Sequence, residues 1–460
     1  MTTLFLLLRV YIFLSYLSGP ALTVSTSLNQ SAQPSPEQNP PAITSRTDIQ
    51  VDSGFILAFG ATSDENGTIY VAVCTPESLL KIYQSEDGGN YWREPLRILL
   101  PAQVKSVELL KGYGDSAYLF VFYLTPDAGG DLWLLRIQPD LSNWQNLPLA
   151  VGPDTVDQFA VALDPSPNYY LYCLYINQHR SGRNGRFTRS LDYGITWEME
   201  QDFYNTFDPH LSLGANSVLH CIWRFAINSR EIHYTQNRYY GAPARWSGLQ
   251  VLYATGEKCF NPKVAQADTT PPWRAPIWAV WTIARRDTEM LDLVSSFSTD
   301  GGNSFSTPVT LGEIFIDEWW PSIFADQGSS YLVYNAGDRF SAGQTSVYYR
   351  YARAYAPQAW SSPVSLNDQR ANALFNGARP RALPNGALFC YYGQTWANGL
   401  YFARALPLTQ SKPPTGFTIG NNKALFDVTG RRIYADHSNI KRGVYFIKEK
   451  NRLQKLLICQ

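Results

Sequence analysis

The residues of this chain best suited to chemistry lie in short polar segments that precede apolar runs. Four of these segments place a proline one residue inside the run. The segments read Asp157-Gln158, Phe207-Asp208-Pro209-His210, Phe260-Asn261-Pro262-Lys263, Asp317-Glu318-Trp319-Trp320-Pro321 and Arg379-Pro380-Arg381. Other polar stretches supply His179, Arg180, Arg183, Arg186, Arg230, Glu231, Arg285, Arg286, Asp287, Asp338, Arg339 and Trp396.

Arginine and tryptophan stand out in this set, and both favour one class of ligand. The planar guanidinium of Arg pairs with carboxylate or phosphate through two parallel hydrogen bonds. Flat aromatic rings offer an apolar face on which a sugar ring can stack. We therefore predict a carbohydrate or other anionic ligand, bound by Asp208, His210, Asn261, Lys263, Trp319, Trp320, Arg285, Arg286, Asp338, Arg339, Arg379 and Trp396. The alternative is that the charged loops are merely solvated and the aromatic residues before proline seal a central channel.

The sequence alone assigns no catalytic residue. Hydrolysis of a glycosidic bond ordinarily needs two carboxyl groups facing each other across a pocket. Asp208 meets that requirement only if folding brings it to Glu318 or Asp338. A phosphate-binding loop, a dinucleotide fingerprint and a Cys/His cluster with zinc spacing are all missing from the sequence, so neither cofactor nor metal is expected. Acidic and basic residues balance at 38 each, which gives no indication of a nucleic-acid partner.

An internal repeat supplies the elements that would position these residues. An aromatic residue after a short polar stretch returns at intervals of 49 to 59 residues, at Trp92, Trp144, Trp197, Trp246, Phe305 and Trp360. Each interval holds apolar runs of strand length separated by Gly, Pro, Asn and Asp, without long helical periodicity. Four short strands per interval predict the blades of an all-β propeller, in which the loops between blades share one face.

Three of the intervals carry a sharper pattern just before the aromatic residue. Its serine, aspartate, glycine and aromatic positions are Ser85, Asp87, Gly89 and Trp92; Ser190, Asp192, Gly194 and Trp197; and Ser298, Asp300, Gly302 and Phe305. The pattern resembles the Asp box, S-x-D-x-G-x-T-W, of the sialidase-like (BNR-repeat) propellers. We expect the Asp to accept backbone hydrogen bonds in a tight turn and the Gly to supply a positive φ. In the family this turn lies opposite the ligand site, so it indicates the fold and not the function.

The number of blades depends on how the ring closes. Residues 377–404 supply three strands of a last blade, and Ile43–Asp52 is available as the fourth. We therefore predict seven four-stranded blades closed by strand exchange, with six blades, as in catalytic sialidases, as the alternative. The sialidase resemblance also implies a catalytic Tyr assisted by Glu, and an F/Y-R-I-P strand that does not occur here. Nothing in the sequence pairs a Tyr with a Glu, although the chain offers Tyr334, Tyr392, Glu231 and Glu318.

Both ends of the chain differ from the propeller, which we assign to residues 43–406. Residues 1–23 read as a signal peptide because Leu4–Leu17 is almost wholly apolar, with an uncleaved membrane anchor as the alternative. Residues 24–42 form a Pro-rich linker with a composition that cannot bury a core. Residues 407–416 form a second linker that contains proline.

The tail, residues 417–460, contains three short patterns in a fixed order. They include Asp427, Gly430, Arg431, Gly443 and Lys455. Together they resemble the C-terminal sorting domain of type IX secretion cargo. The resemblance implies a small β-sandwich, an interaction with outer-membrane secretion machinery, and a protein that is secreted or held at the cell surface. A small β-hairpin module that packs on the propeller is the alternative.

The six cysteines do not follow a disulfide pattern. Four lie inside apolar runs at corresponding places in the repeat, namely Cys74, Cys173, Cys221 and Cys390. Packed sheets lie about 10 Å apart, whereas a disulfide needs Cα atoms within about 7 Å. We therefore interpret these four as small buried hydrophobic residues and leave Cys259 and Cys459 unassigned.

These features predict an exported, monomeric, sialidase-like propeller that binds or displays a ligand and has no chemistry of its own. A glycoside hydrolase or lyase with an unrecognised active site is the first alternative. An envelope structural or assembly protein is the second.

Overall fold

The computed structural model describes residues 48–64, 66–112, 117–126, 130–152, 155–164, 169–179, 182–198, 201–226, 230–267, 275–286, 290–312, 316–326, 328–338, 345–366, 372–377, 386–392, 399–404, 424–427, 432–433, 443–449 and 452–458. The chain divides into two units, residues 1–39 and 40–460, and the described residues all belong to the second. The predicted signal peptide, both linkers, Gly430, Arg431 and Cys459 lie outside the described residues.

Within this part the chain is all β, apart from one short 3₁₀ turn at Ala215–Ser217. The strands of the first half are β1 Ile49–Asp52, β2 Ala58–Ser63, β3 Ile69–Cys74, β4 Leu79–Ser85, β5 Arg93–Leu99, β6 Ser106–Lys111, β7 Leu119–Leu124, β8 Leu132–Ile137, β9 Trp144–Ala150, β10 Thr155–Leu163, β11 Leu171–His179, β12 Gly182–Ser190, β13 Gln201–Tyr204, β14 Thr206–Leu213, β15 Leu219–Phe225, β16 Ile232–Asn237 and β17 Gln250–Tyr253. The remaining strands are β18 Lys258–Gln266, β19 Ile277–Ala284, β20 Leu291–Ser298, β21 Val309–Thr310, β22 Asp317–Asp326, β23 Ser329–Gly337, β24 Thr345–Arg353, β25 Ala356–Trp360, β26 Val364–Ser365, β27 Asn372–Gly377, β28 Gly386–Tyr392, β29 Leu400–Arg404, β30 Ala424–Asp427, β31 Arg432–Ile433, β32 Gly443–Glu449 and β33 Arg452–Ile458. No helix among the described residues is long and apolar enough to cross a membrane.

Most strands form antiparallel sheets of four consecutive strands. Six sheets follow this order, namely β2–β5, β6–β9, β10–β13, β14–β17, β18–β21 and β22–β25, with β26 also pairing to β24. A seventh has the order β1-β29-β28-β27, so β1, the first strand of the described residues, supplies the fourth strand of the sheet formed by β27–β29, as the sequence predicted. Among the described residues this gives seven sheets, the number expected for seven blades. Strands β30–β33 form a separate four-stranded sheet, with the order β31-β30-β32-β33.

Burial falls from the middle of each sheet outward, which explains the apolar repeats. The first strands of neighbouring sheets pack on one another: β10 on β14, β14 on β18 and β18 on β22. Second strands such as β3 and β7 are buried at every residue, because both faces of the sheet are covered by neighbours. Outer strands such as β5 alternate between exposed and partly buried residues. Burying one large aliphatic side chain contributes about 1.5–3 kcal/mol, so the stacked sheets carry the stability of the fold.

The closing strand β1 is also tied to the first sheet. The Asp52 carboxylate accepts hydrogen bonds from Lys81 Nζ at 2.8 Å and from the Tyr83 hydroxyl at 2.6 Å. The side chain of Asp52 is 2% exposed. Burial alone would raise the pKa of Asp52, but the bonds from Lys81 and Tyr83 outweigh it and lower the pKa. One carboxylate thus joins the last sheet, through β1, to the first.

The three predicted turns between third and fourth strands, which we call the aspartate turns, share one hydrogen-bond pattern. In the second turn, Ser190 Oγ donates to Asp192 Oδ1 at 2.8 Å and accepts the Gly194 amide at 2.8 Å. The Asp192 carboxylate also accepts the amide and hydroxyl of Thr196. The turns at Asp87 and Asp300 repeat the serine and backbone bonds. In each copy the carboxylate is used inside its own turn.

The described cysteines are buried and free of disulfides. Cys74, Cys173 and Cys221 are at most 1% exposed, as expected for small hydrophobic residues in second strands. Cys259, unassigned from the sequence, is also fully buried and free. Burial raises the pKa of the Cys259 thiol to about 12, so the reactive thiolate is disfavoured. The side chain of Cys390 lies outside the described residues.

Candidate functional site

The strands β14, β18 and β22 are the first strands of three neighbouring sheets, and we call them the inner strands. They begin with the same irregular backbone. In each, the strand pairing slips where the proline segment lies. The residue before the proline has a left-handed φ in all three, 49° at Asp208, 48° at Asn261 and 52° at Trp320. This conformation costs about 1–2 kcal/mol for a residue with a side chain. A following proline further restricts the backbone conformations that this residue can adopt. Three successive sheets therefore carry the same backbone strain near the start of their first strands.

This backbone leaves alternate side chains partly exposed at the start of the three strands. Each proline is buried, while the residue before it and the residue after it are partly exposed. The partly exposed residues are Asp208, His210, Asn261, Lys263, Trp320 and Ser322. The mouth of the channel, as we call the surface formed by these six residues, therefore presents an acid, an imidazole, an amide, an ammonium, an indole and a hydroxyl.

Asp208 connects three neighbouring sheets at the mouth. Its Oδ1 accepts from Gln158 Nε2 at 2.9 Å, and its own amide donates to Gln158 Oε1 at 2.8 Å. Its Oδ2 accepts the Asn261 amide at 3.3 Å and lies 3.0 Å from Nε of Arg224 in an ion pair. The Asp208 side chain is 13% exposed. With these partners Asp208 fixes the neighbouring strands, and its carboxylate is already engaged within the protein.

Arg224 is a component of the site that the sequence analysis missed. It lies on β15 opposite Phe207, and only 8% of the residue is exposed. Its guanidinium carbon lies 5.3 Å from the ring centre of Phe207 and 5.6 Å from that of Phe260. Stacking on two rings and pairing with Asp208 hold a buried cation beneath the mouth. The available signal was a single charged residue inside the apolar run LHCIWRF.

The remaining predicted residues on the inner strands lie in the same irregular segments. His210 Nδ1 accepts the backbone amide of Val264 at 3.3 Å, which links β14 to β18 beside Lys263. Trp319 is only 6% exposed, and its ring centre lies 6.4 Å from that of the more exposed Trp320. Trp320 is therefore the more accessible ring of this pair.

The predicted residues outside the inner strands have other surroundings. Arg285 pairs with the buried Asp292, and Arg286 donates to the Gly256 carbonyl from Nε at 2.9 Å and from a terminal nitrogen at 2.7 Å. Asp338 is exposed just after β23. Three further predicted residues lie outside the described residues, namely Arg339, Arg379 and Trp396.

A tyrosine, a glutamate and an arginine do meet in the structure, and all three are buried. Arg350 Nε donates to the Tyr334 hydroxyl at 3.1 Å, and another Arg350 nitrogen lies 3.7 Å from Glu318 Oε1. Tyr334 is 1% exposed and Glu318 is 2% exposed. Tyr334 packs in the core shared by the sheets of β18–β21 and β22–β25. These three residues are therefore covered by packing in this structure.

The described residues also bear on the two-carboxylate hypothesis. Asp208 is engaged with Gln158, Asn261 and Arg224, while Glu318 is buried beside Arg350. The side chains of Asp208 and Glu318 are 13% and 3% exposed, and each lies beside an arginine. Within the described part of the chain there is also no group of three His, Cys, Asp or Glu side chains placed to hold a metal ion.

The fold defines the chain as a β-propeller protein. A polysaccharide lyase of the PL25 ulvan lyase family is similar in fold, with a TM-score of 0.53 and 10% identity over 78% of this chain and 96% of that one. A protein of unknown function from Dyadobacter fermentans gives a TM-score of 0.44 and 13% identity over 63% and 93% of the two chains. An α-L-arabinanase of Penicillium chrysogenum, complexed with arabinobiose, gives a TM-score of 0.44 and 12% identity over 78% of this chain and 98% of that one.

At these identities the likeness extends to the fold alone. No protein-family model matches the chain, and no curated protein matches it.

Proposed function

We propose that this protein is an Asp-box propeller of the sialidase-like type that binds a glycan at the mouth of its channel and acts as a binding or surface-display protein. The observation that carries the proposal is the repeated strained backbone of β14, β18 and β22, in which Asn261, Lys263 and Trp320 are partly exposed beside a buried proline. Residues held in sparsely populated backbone conformations persist where the surrounding structure fixes them, and they cluster at ligand sites.

The side chains at the mouth suit a sugar. An indole ring offers an apolar face to the C–H bonds of a pyranose. The Asn261 amide can donate to and accept from hydroxyl groups, and the Lys263 ammonium favours a ligand that carries carboxylate or sulfate. The polysaccharide lyase of similar fold supports carbohydrate as the ligand class. Binding is favoured over cleavage because Asp208 and Glu318 are both engaged within the protein.

The experiment is a glycan array probed with the purified protein, followed by affinity measurement on the bound glycans for the variant Trp320→Ala. We expect an increase in Kd of about tenfold or more, as for an aromatic residue at the centre of a site. Trp144→Ala is the matched control, because Trp144 is 40% exposed on the outer strand β9. The proposal fails if no glycan binds, or if both variants bind as the unmodified protein does.

We further propose that residues 1–23 direct export and that residues 417–460 are a sorting domain read by outer-membrane secretion machinery. The separate sheet β30–β33, which contains Asp427, Gly443 and Lys455, supports a distinct C-terminal module. Deleting residues 417–460 is expected to keep the protein inside the cell when it is expressed in a host with type IX secretion. The measurement is the amount of protein at the surface and in the medium, and unchanged export would refute this assignment.

A further inference from the structure

The second aspartate turn contains a tyrosine where the other two contain glycine. Between the Asp and the Gly of the pattern lie Gly88 in the first turn and Gly301 in the third, with φ of 72° and 74°. Tyr193 takes this place in the second turn with a φ of 62°. Glycine adopts this conformation freely, whereas a bulky residue loses about 1–2 kcal/mol in it. Glycine is sufficient to form this turn in the first and third copies. In the second copy the tyrosine adds an aromatic ring at a conformational cost.

That ring belongs to a group of tyrosines on the face of the aspartate turns. The ring centre of Tyr193 lies 6.2 Å from that of Tyr118 on the neighbouring sheet and 6.3 Å from that of Tyr169. Tyr169 also has a left-handed φ, 54°. The three rings are tilted by 36° to 42° at these contacts, and each is partly exposed. We call these three residues the tyrosine platform.

A second pair of tyrosines continues the row toward the next sheet. Tyr170 follows Tyr169 in the chain, and its ring centre lies 6.4 Å from that of Tyr240. Tyr240 is 44% exposed and has a left-handed φ of 53°. The row of rings thus crosses three neighbouring sheets, a length that suits an extended chain better than a single small molecule.

A cation lies at one end of the row. The guanidinium carbon of Arg136 is 4.9 Å from the ring centre of Tyr118, and Arg136 donates to the Gln145 side chain. Within the described part of the chain its hydrogen-bonding partner is thus a neutral amide. A guanidinium in this position can pair with a carboxylate or sulfate of a ligand while the ring beside it contacts an apolar face.

We propose that the tyrosine platform is a second binding site, for an acidic polysaccharide, on the face opposite the mouth of the channel. Phenol rings combine an apolar face for the pyranose ring with a hydroxyl that bonds to sugar hydroxyls, and they lose little conformational freedom on binding. The protein then holds one chain at two faces or crosslinks two chains. This raises the apparent affinity through multivalency.

The test is affinity electrophoresis of the full chain through gels cast with polygalacturonate, carrageenan or xylan, which supply carboxylated, sulfated and neutral polysaccharide. The main variant is Tyr193→Gly, which restores the residue type of the other two turns. We expect retardation by an acidic polysaccharide to weaken about fivefold, the effect of losing one aromatic contact. Thermal unfolding should change little, because relief of backbone strain offsets the lost packing of the ring.

Two further variants keep the test decisive. Tyr355→Ala is the matched control, because Tyr355 is 81% exposed in the β24–β25 turn and has no ring contact in the platform. Tyr193→Asn replaces the glycine variant if that variant is poorly folded, since Asn also tolerates a left-handed φ. Both platform variants should show the weakened retardation, while Tyr355→Ala should be retarded like the unmodified protein.

The channel variant Trp320→Ala separates the two sites. If Trp320→Ala keeps the retardation that Tyr193→Gly weakens, the platform binds independently of the mouth. If Trp320→Ala abolishes all retardation and Tyr193→Gly leaves it unchanged, the mouth is the site and the platform proposal is wrong. Equal retardation by xylan, or no retardation by any of the three polysaccharides, also overturns it.

Discussion

Replacement of His220 by glutamine should remove a large part of the acid sensitivity of the fold. His220 is fully buried, and its two ring nitrogens face the Tyr234 hydroxyl at 2.7 Å and Gln266 Oε1 at 3.1 Å. Gln266 donates from Nε2 to the Ala275 carbonyl at 3.3 Å, which turns Oε1 toward the histidine. The neutral ring therefore donates from Nε2 to Gln266 and accepts at Nδ1 from Tyr234.

The magnitude follows from the pKa of this histidine. Burial lowers the pKa of His220 from 6.5 to about 4, although the bond to Gln266 opposes this. Between these pH values the unfolded chain binds a proton that the folded chain does not. The contribution to stability is therefore complete above the unfolded pKa and is lost as the pH falls toward the folded one. Each pKa unit corresponds to about 1.4 kcal/mol, so the loss amounts to about 3 kcal/mol.

The assay is urea unfolding followed by tryptophan fluorescence from about pH 7 to pH 4, on the unmodified protein and on His220→Gln. The variant should be less stable at neutral pH because the ring contacts are lost. Between neutral pH and pH 4 its free energy of unfolding should fall by about 3 kcal/mol less than that of the unmodified protein. Parallel pH curves for the two proteins would refute the reasoning, since they would show that His220 does not titrate differently in the folded state.

Two further predictions concern ring closure and turn geometry. Asp52→Asn should lower the free energy of unfolding by about 3 kcal/mol, because it leaves Lys81 without its buried partner. Urea unfolding measures this change, and strand β1 should also be cleaved faster by a protease. Unchanged stability would contradict the prediction. Gly194→Ala should destabilise by more than 2 kcal/mol, because φ is 84° and a Cβ would lie 2.2 Å from Leu134 Cδ2. Gly67→Ala is the control, since φ at Gly67 is 86° but no atom lies within 4 Å of an added Cβ. Thermal unfolding should therefore show only the backbone cost of about 1 kcal/mol.

The fold was accessible from the sequence because its signals are local. The aspartate turn at Asp192 is built from residues at most six positions apart, and the same bonds recur at Asp87 and Asp300. A residue pattern of this kind can be read without knowing the rest of the structure. The closing strand β1 was predicted by counting, since the last blade had three strands and Ile43–Asp52 was unassigned.

The site was accessible only in part, because its contacts cross between sheets. Proline marked Asp208 and Asn261, but nothing local shows that Gln158, 50 residues away, bonds to Asp208. Arg224 belongs to a second strand and reaches the mouth only through the pairing of β14 with β15. Tyr193 was not predicted because it occupies a position at which the motif allows any residue. Only a comparison of the backbone in the three turns singles it out.

Residues with a left-handed φ occur at both proposed binding sites. Their side chains help to distinguish a residue needed for the turn from a residue needed for the ligand. Asp208, Asn261 and Trp320 share one backbone conformation before proline, yet they offer a carboxylate, an amide and an indole. If the bend itself were the only requirement, glycine would form it without the cost of a left-handed side chain, as Gly301 does in the third aspartate turn. The backbone therefore fixes where each side chain projects, and the side chains are free to differ in chemistry. The same reasoning applies to Tyr193, so replacing Trp320 or Tyr193 by glycine tests ligand binding while preserving the turn, whereas the Asp208 carboxylate is needed for its ion pair with Arg224.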